Sequence, residues 1–173
     1  MLVRIMDGAK GWYALAVKPQ HEFQVFAGLG RIDEVEGFLP SYKDKRIWSD
    51  RTKMVDAALF PGYVFARFQY PEERVRVLRV TGVRSIVGLG HAACAVPEEE
   101  INGIRMVANS GFRVRPWPFL RTGQRVRVEH GPLRGVEGII VGQKDDWQMV
   151  VSVEMLQRSI AVVLDRSVMS SSA

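Results

Sequence analysis

Apolar residues in the first part of the chain fall in short runs separated by polar turns. Trp12-Tyr13-Ala14-Leu15-Ala16-Val17 is apolar and short, which predicts a strand. Pro19 suits the first turn of a helix. Phe23, Phe26 and Ala27 then repeat at i, i+3 and i+4, as on the apolar face of an amphipathic helix. Gly37 breaks the chain. From Phe38 to Trp48, through a tip at Trp48-Ser49-Asp50-Arg51 and on to Val55, the pattern predicts a long polar hairpin. Phe60-Pro61-Gly62-Tyr63-Val64-Phe65-Ala66-Arg67-Phe68 opens with a turn and continues as an apolar strand. Pro71-Glu72-Glu73 starts a helix, with carboxylates at the positive end of its dipole. Val83 to Val87 is a further strand. Pro97-Glu98-Glu99-Glu100 repeats the helix start ahead of Ile101, Ile104 and Val107. The order β-α-β-β-β-α-β-α predicts an α+β unit, a mostly antiparallel sheet flanked by helices.

Beyond residue 120 the pattern changes to strands alone. Val126 and Val128 alternate with Arg127 and Glu129, and Gly131-Pro132, Gly135 and Gly138 punctuate the turns. Ile139-Ile140-Val141, a turn at Asp145-Asp146, Met149 to Val153, and Ser159 to Leu164 complete a small all-β barrel. Between the two parts, Asn109-Ser110-Gly111 ends a helix. Phe112 to Pro118 then holds two prolines and no periodicity. Proline fixes φ and removes a donor, so this piece reads as an extended linker. The expected division is 1–10 as a flexible start, 11–110, a linker at 111–120, a barrel at 121–168 and a flexible tail at 169–173.

Composition narrows the function classes. The 173 residues are 47% hydrophobic and 25% charged, which is globular and not disordered. No run is long enough to span a membrane and no secretory core is present, so the expected location is the cytoplasm. Net charge is +5, and residues 111–120 contribute two arginines with no acid. Neither folded part is polybasic, which argues against bulk coating of nucleic acid. Cationic groups instead gather in three places. These are Lys43, Lys45, Arg46, Arg51 and Lys53 on the hairpin, Arg74, Arg76, Arg79 and Arg84 about the second helix, and Arg113, Arg115, Arg121, Arg125 and Arg127. Together they suit phosphate-backbone contact, which positions a protein without reading sequence.

Catalytic and cofactor chemistry finds little support. Gly88-Leu89-Gly90-His91-Ala92-Ala93 matches a dinucleotide fingerprint in letters. Such a fingerprint needs a helix to begin there, and the next helix starts only at Pro97, so a plain loop is expected. His21, His91 and His130 lack metal-ligand spacing, and Cys94 is the single cysteine. No enzyme, cofactor or metal site is expected. More informative are Trp12, Tyr13, Phe60, Tyr63 and Phe65, five aromatics on two strands. Alternate residues face opposite ways, so not all five enter one core. Some are expected to line a surface for a partner helix.

These residues resemble the NusG family. Trp12-Tyr13, Leu59-Phe60-Pro61-Gly62-Tyr63-Val64-Phe65, Gly82-Val83, and Gly123-Gln124-Arg125-Val126-Arg127-Val128 with Gly131-Pro132-Leu133-Arg134-Gly135-Val136-Glu137-Gly138 carry the likeness, over roughly residues 11–168. The family order is an NGN domain, a linker and an SH3-like KOW barrel. Within the family the chain looks most like the specialised UpxY-type and RfaH-type antiterminators. That likeness rests on Arg46 to Arg51, Leu59, Trp117-Pro118 and Leu156 to Val162.

The resemblance implies a monomeric, non-enzymatic transcription factor. Its NGN domain would set an apolar depression on the clamp helices of RNA polymerase and suppress pausing or termination in a subset of operons. By position, Trp12, Tyr13, Phe60, Tyr63 and Phe65 match that depression. Lys18, Arg31 and Arg79 match the region that meets upstream or non-template DNA. Met155, Leu156 and Arg158 fall on the barrel loop that meets Rho or a small-subunit ribosomal protein, with Leu156 in place of the usual aromatic. A housekeeping factor supporting Rho-dependent termination, and a KOW-type RNA-binding or ribosome-associated protein, are the alternatives.

Overall fold

A computed structural model describes residues 10–89, 92–142 and 147–164. The expected tail at 169–173 and the Asp145-Asp146 turn lie outside these residues, as does all but Lys10 of the expected 1–10 start. Contacts group residues 10–39 with 60–101 in one unit, and 40–59 with 102–164 in another.

The first unit is built on four antiparallel strands in the order β2-β5-β1-β6: β1 (Lys10–Val17), β2 (Glu36–Phe38), β5 (Tyr63–Gln69) and β6 (Val83–Ile86). Helices α1 (Glu22–Leu29) and α2 (Arg74–Leu78) join them. Strand alternation sorts the side chains. Tyr13, Leu15 and Val17 of β1 and Val64, Ala66 and Phe68 of β5 pack in one cluster with Val25 and Leu29 of α1 and Val77 of α2. Trp12, Ala14, Phe65 and Phe38 face the other way.

The face of α1 differs from the sequence expectation. Its buried positions are Glu22, Val25 and Leu29, while Phe23 and Phe26 are 44% and 42% exposed. Both stripes have helical spacing, and only the sheet beneath selects between them. Gly88–Leu89 forms β7, paired with β8 (Ala92–Ala93). The described ends of the Gly88 motif are therefore paired strands and not a helix start, while Gly90 and His91 lie outside the described residues. Helix α3 (Glu98–Asn109) follows Pro97, and its first turn holds Glu98, Glu99 and Glu100 as the dipole favours.

The second unit contains the hairpin β3 (Ser41–Ile47) and β4 (Thr52–Ala58), which form a separate two-stranded sheet. It also contains a five-stranded antiparallel sheet in the order β10-β11-β12-β13-β9. Its strands are β9 (Val114–Trp117), β10 (Gln124–Arg127), β11 (Glu137–Val141), β12 (Gln148–Val153) and β13 (Arg158–Val163). Val114, Met149, Val151, Val153, Ile160 and Val162 share the buried inner face.

Strand β9 falls where the sequence predicts a linker. Pro116 sits opposite Ile160. The Val163 N–H donates to the Arg113 carbonyl at 3.0 Å, so residues 113, 115 and 117 point their amides toward β13. Residues 114 and 116 point outward. The donor that Pro116 lacks would have faced the open edge, and an edge strand tolerates that loss.

Candidate docking face and basic seam

Three strands and one turn assemble one aromatic row. Register places Trp12 opposite Arg67, and Arg67 opposite Glu36; Ala14 lies opposite Phe65, and Phe65 opposite Phe38. Opposed residues share a face, so Trp12, Phe65, Phe38 and Arg67 lie together. Trp12 meets Phe38 edge-on at 6.1 Å between centroids, Phe38 meets Phe65 at 6.1 Å, and Phe65 meets Phe60 edge-on at 5.6 Å. These are favourable offset and T-shaped geometries. Trp12, Phe60 and Phe65 are at most 3% exposed, while Phe38 and Tyr63 are half-buried. Tyr63, two positions before Phe65 on β5, shares its face, so this face has a buried base of three rings and two reachable ones.

Tyr13 does not join this row. It lies on the helix-packed face, with its ring 4.8 Å from Phe68 and 5.6 Å from Tyr70. Burial raises its phenol above the ordinary 10.0, with Tyr70 and Cys94 adding to the effect. A raised acid favours the neutral ring in the fold. That contribution is complete below the ordinary value and is lost as pH climbs through the raised one. Phe38 is the aromatic that sequence reasoning missed. The hydropathy pattern puts it at the root of the hairpin, and the three-residue β2 leaves too little alternation to detect.

The turn that presents Tyr63 is pinned from below. Gly62 has φ +85°, a conformation that glycine adopts without strain. Its N–H donates to Glu22 Oε1 at 2.8 Å, and its carbonyl accepts from the Val17 N–H at 2.9 Å. Glu22 is a buried carboxylate on α1. Removing it leaves the Gly62 amide without this acceptor, at a cost of about 1–3 kcal/mol. Glu22→Ala is therefore expected to lower the urea midpoint, while Glu22→Gln, which keeps an acceptor oxygen, recovers most of the loss. Equal midpoints for Glu22→Ala and the parent would show that the turn is held by other means.

Lys18, Arg31 and Arg79 are all exposed, and their backbone positions flank the seam where residues 80–82 meet α1. A Cβ at Gly28 would lie 2.7 Å from Val80, and one at Gly82 would lie 2.9 Å from Val25 and 3.1 Å from His21. Residues 80–82 thus run alongside α1, directly after Arg79. The Lys18 N–H donates to the Gly82 carbonyl at 2.8 Å at one end, and Arg31 follows Gly28 at the other.

In the second unit, Met155 and Leu156 belong to a 3-10 turn at Glu154–Leu156. Gln157 is left-handed at φ 51° and its Nε2 donates to the Glu154 carbonyl at 2.6 Å. The turn directs Leu156 inward, leaving it 6% exposed, whereas Met155 is half-buried and Arg158 is exposed. Of the three, Met155 and Arg158 form the reachable surface. Among the described residues no group of three or more metal-ligating side chains comes together, and no helix is long and apolar enough to cross a membrane.

Fold and site define a two-unit chain: an antiparallel α+β unit with an aromatic sheet face, and a unit dominated by a five-stranded antiparallel sheet. The family model described as "Transcription termination factor nusG" matches residues 10–105, and the chain belongs to the NusG family. The transcription termination/antitermination protein NusG of Borreliella burgdorferi is 22% identical over 179 residues, covering 91% of this chain and 96% of the relative. The protein of the same description from Buchnera aphidicola subsp. Baizongia pistaciae is 26% identical over 172 residues, covering 91% and 94%. A solved structure described as "Domain interaction in Thermotoga maritima NusG" aligns with a TM-score of 0.58 at 22% identity, over 92% of this chain and 96% of that one. At that identity the likeness speaks to fold.

Proposed function

We propose that this chain is a cytoplasmic transcription elongation and antitermination factor that acts by binding and not by catalysis. The aromatic row from Trp12 through Phe38 and Phe65 to Phe60 carries the reading. It lies on the sheet face turned away from the α1–α2 core, and its two reachable rings, Phe38 and Tyr63, offer anchors for an apolar partner. That partner is the clamp-helix coiled coil of RNA polymerase. A few aromatic anchors usually dominate such an interface. Lys18, Arg31 and Arg79 then contact upstream or non-template DNA through its phosphates, a contribution that weakens with salt. Met155 and Arg158 receive a further factor, a small-subunit ribosomal protein or Rho. The names of the two curated relatives, both transcription termination/antitermination proteins, support the same class.

The tagged full chain is expected to retain core RNA polymerase on an affinity column and to shorten pauses on a transcribed template. Loss of both effects in a folded preparation would overturn the reading. Chromosomal occupancy separates its two versions: a few long operons for a specialised factor, all transcribed genes for a housekeeping one.

A further inference from the structure

The tip of the β3–β4 ribbon carries chemistry that neither the aromatic row nor the basic seam uses. Across the ladder Asp44 opposes Val55, Lys45 opposes Met54, Arg46 opposes Lys53 and Ile47 opposes Thr52. The Trp48 N–H donates to the Arg51 carbonyl at 2.8 Å and closes the turn. Opposed residues share a face, and alternate residues change face. One face therefore carries Arg46 and Trp48 against Lys53 and Arg51. The other carries Lys43, Lys45 and Ile47 against Asp56, Met54 and Thr52.

The two faces differ in how their charges are matched. On the second, Lys43 Nζ meets Asp56 Oδ1 at 2.8 Å and Oδ2 at 3.0 Å. On the first, Arg46 stands directly opposite Lys53, with Arg51 two positions beyond Lys53 toward the tip. Its acid is Asp44, with Oδ2 3.7 Å from Arg46 Nε. Like charges opposed on a ladder destabilise it, and Trp48 adds a ring that is 57% exposed. Neither feature helps the ribbon fold. Both suit a ligand that presents a flat ring between negative charges.

We propose that Trp48, Arg46, Lys53 and Arg51 form a binding site for single-stranded nucleic acid, with a base stacked on the Trp48 indole and the flanking phosphates on the three cations. An acidic protein surface would match the cations but offer the indole nothing flat. In a duplex the base faces are already stacked on one another, so the indole again finds no partner. The single strand satisfies both groups at once. The site shares no residue with the aromatic row, so it can hold or fail independently of polymerase docking.

Anisotropy of a labelled oligothymidylate of about twelve nucleotides, within the site sizes of single-strand binders, tests this on the full chain. The single strand is expected to bind more tightly than a duplex of the same length. Trp48→Ala is expected to weaken binding about tenfold with an unchanged salt slope, and Trp48→Phe to restore most of it. Arg46→Gln with Lys53→Gln should reduce the salt slope by about 1.4, near 0.7 for each phosphate no longer neutralised on a single strand. Lys53→Glu exchanges repulsion for attraction across the ladder. It should abolish binding while thermal stability holds or rises, which a purely structural role would not produce. Unchanged affinity in Trp48→Ala, or a duplex bound as tightly as the single strand, would overturn the proposal.

Discussion

Replacing Phe38 and Tyr63 together by alanine is expected to weaken retention of RNA polymerase by over a hundredfold while the chain stays folded. Both rings are half-buried, so each keeps exposed surface, and Phe38 also packs against Trp12 and Phe65. Buried aromatic anchors at an interface each contribute about 2 kcal/mol or more. Loss of two, without full additivity, comes to about 3 kcal/mol, and each 1.4 kcal/mol is tenfold. The control is the other apolar surface of the same unit. Phe23 and Phe26 are at least as exposed, on the solvent side of α1, and Phe23→Ala with Phe26→Ala should leave retention unchanged. If the α1 pair mattered and the Phe38–Tyr63 pair did not, the docking face would have to move to α1.

Phe65→Ala is expected to act on the fold itself. The ring is fully buried and lies between Phe38 and Phe60. Removing it deletes apolar burial and leaves a cavity beside a strand in the middle of the sheet, at a cost of about 3–5 kcal/mol. That is a large share of the roughly 5–15 kcal/mol by which domains are stable. Urea unfolding should show a sharply lower midpoint, and purified protein should be scarce. Phe60→Ala belongs to the same class, since Phe60 is 1% exposed. Weaker polymerase binding in either variant would therefore report unfolding as much as a missing anchor. A wild-type midpoint for Phe65→Ala would mean that the aromatic row does not support the sheet.

Much of this architecture is legible in the residues. The strands at Trp12 and Phe65 are short apolar runs, and Pro97 with its three glutamates marks the start of α3 without ambiguity. Alternation alone indicates that the five aromatics split between faces. It could not indicate that Tyr13 goes with the helices and Trp12 with Phe38, because that depends on which face α1 and α2 cover. The phase of α1 is unreadable for the same reason: an eight-residue helix with two apolar stripes leaves the choice to its neighbours. The basic seam of Lys18, Arg31 and Arg79 needs residues 80–82 to lie along α1, a contact between segments far apart in sequence. Leu156 shows the opposite limit. Correspondence with family loops puts it at a partner surface, and one left-handed residue, Gln157, turns the chain so that it packs inward.

The proline in β9 has a consequence for the chain in solution. An unpaired sheet border with a complete row of amides invites a strand from another molecule to add to it, and repeated addition grows fibres. On β9 the outward amides belong to Val114 and Pro116, and proline has none. An incoming strand would meet a single donor where a ladder needs a series, beside the exposed charges of Arg113 and Arg115. The residue that disguised this strand as a tether thereby lets it close one side of the sheet without recruiting a second copy.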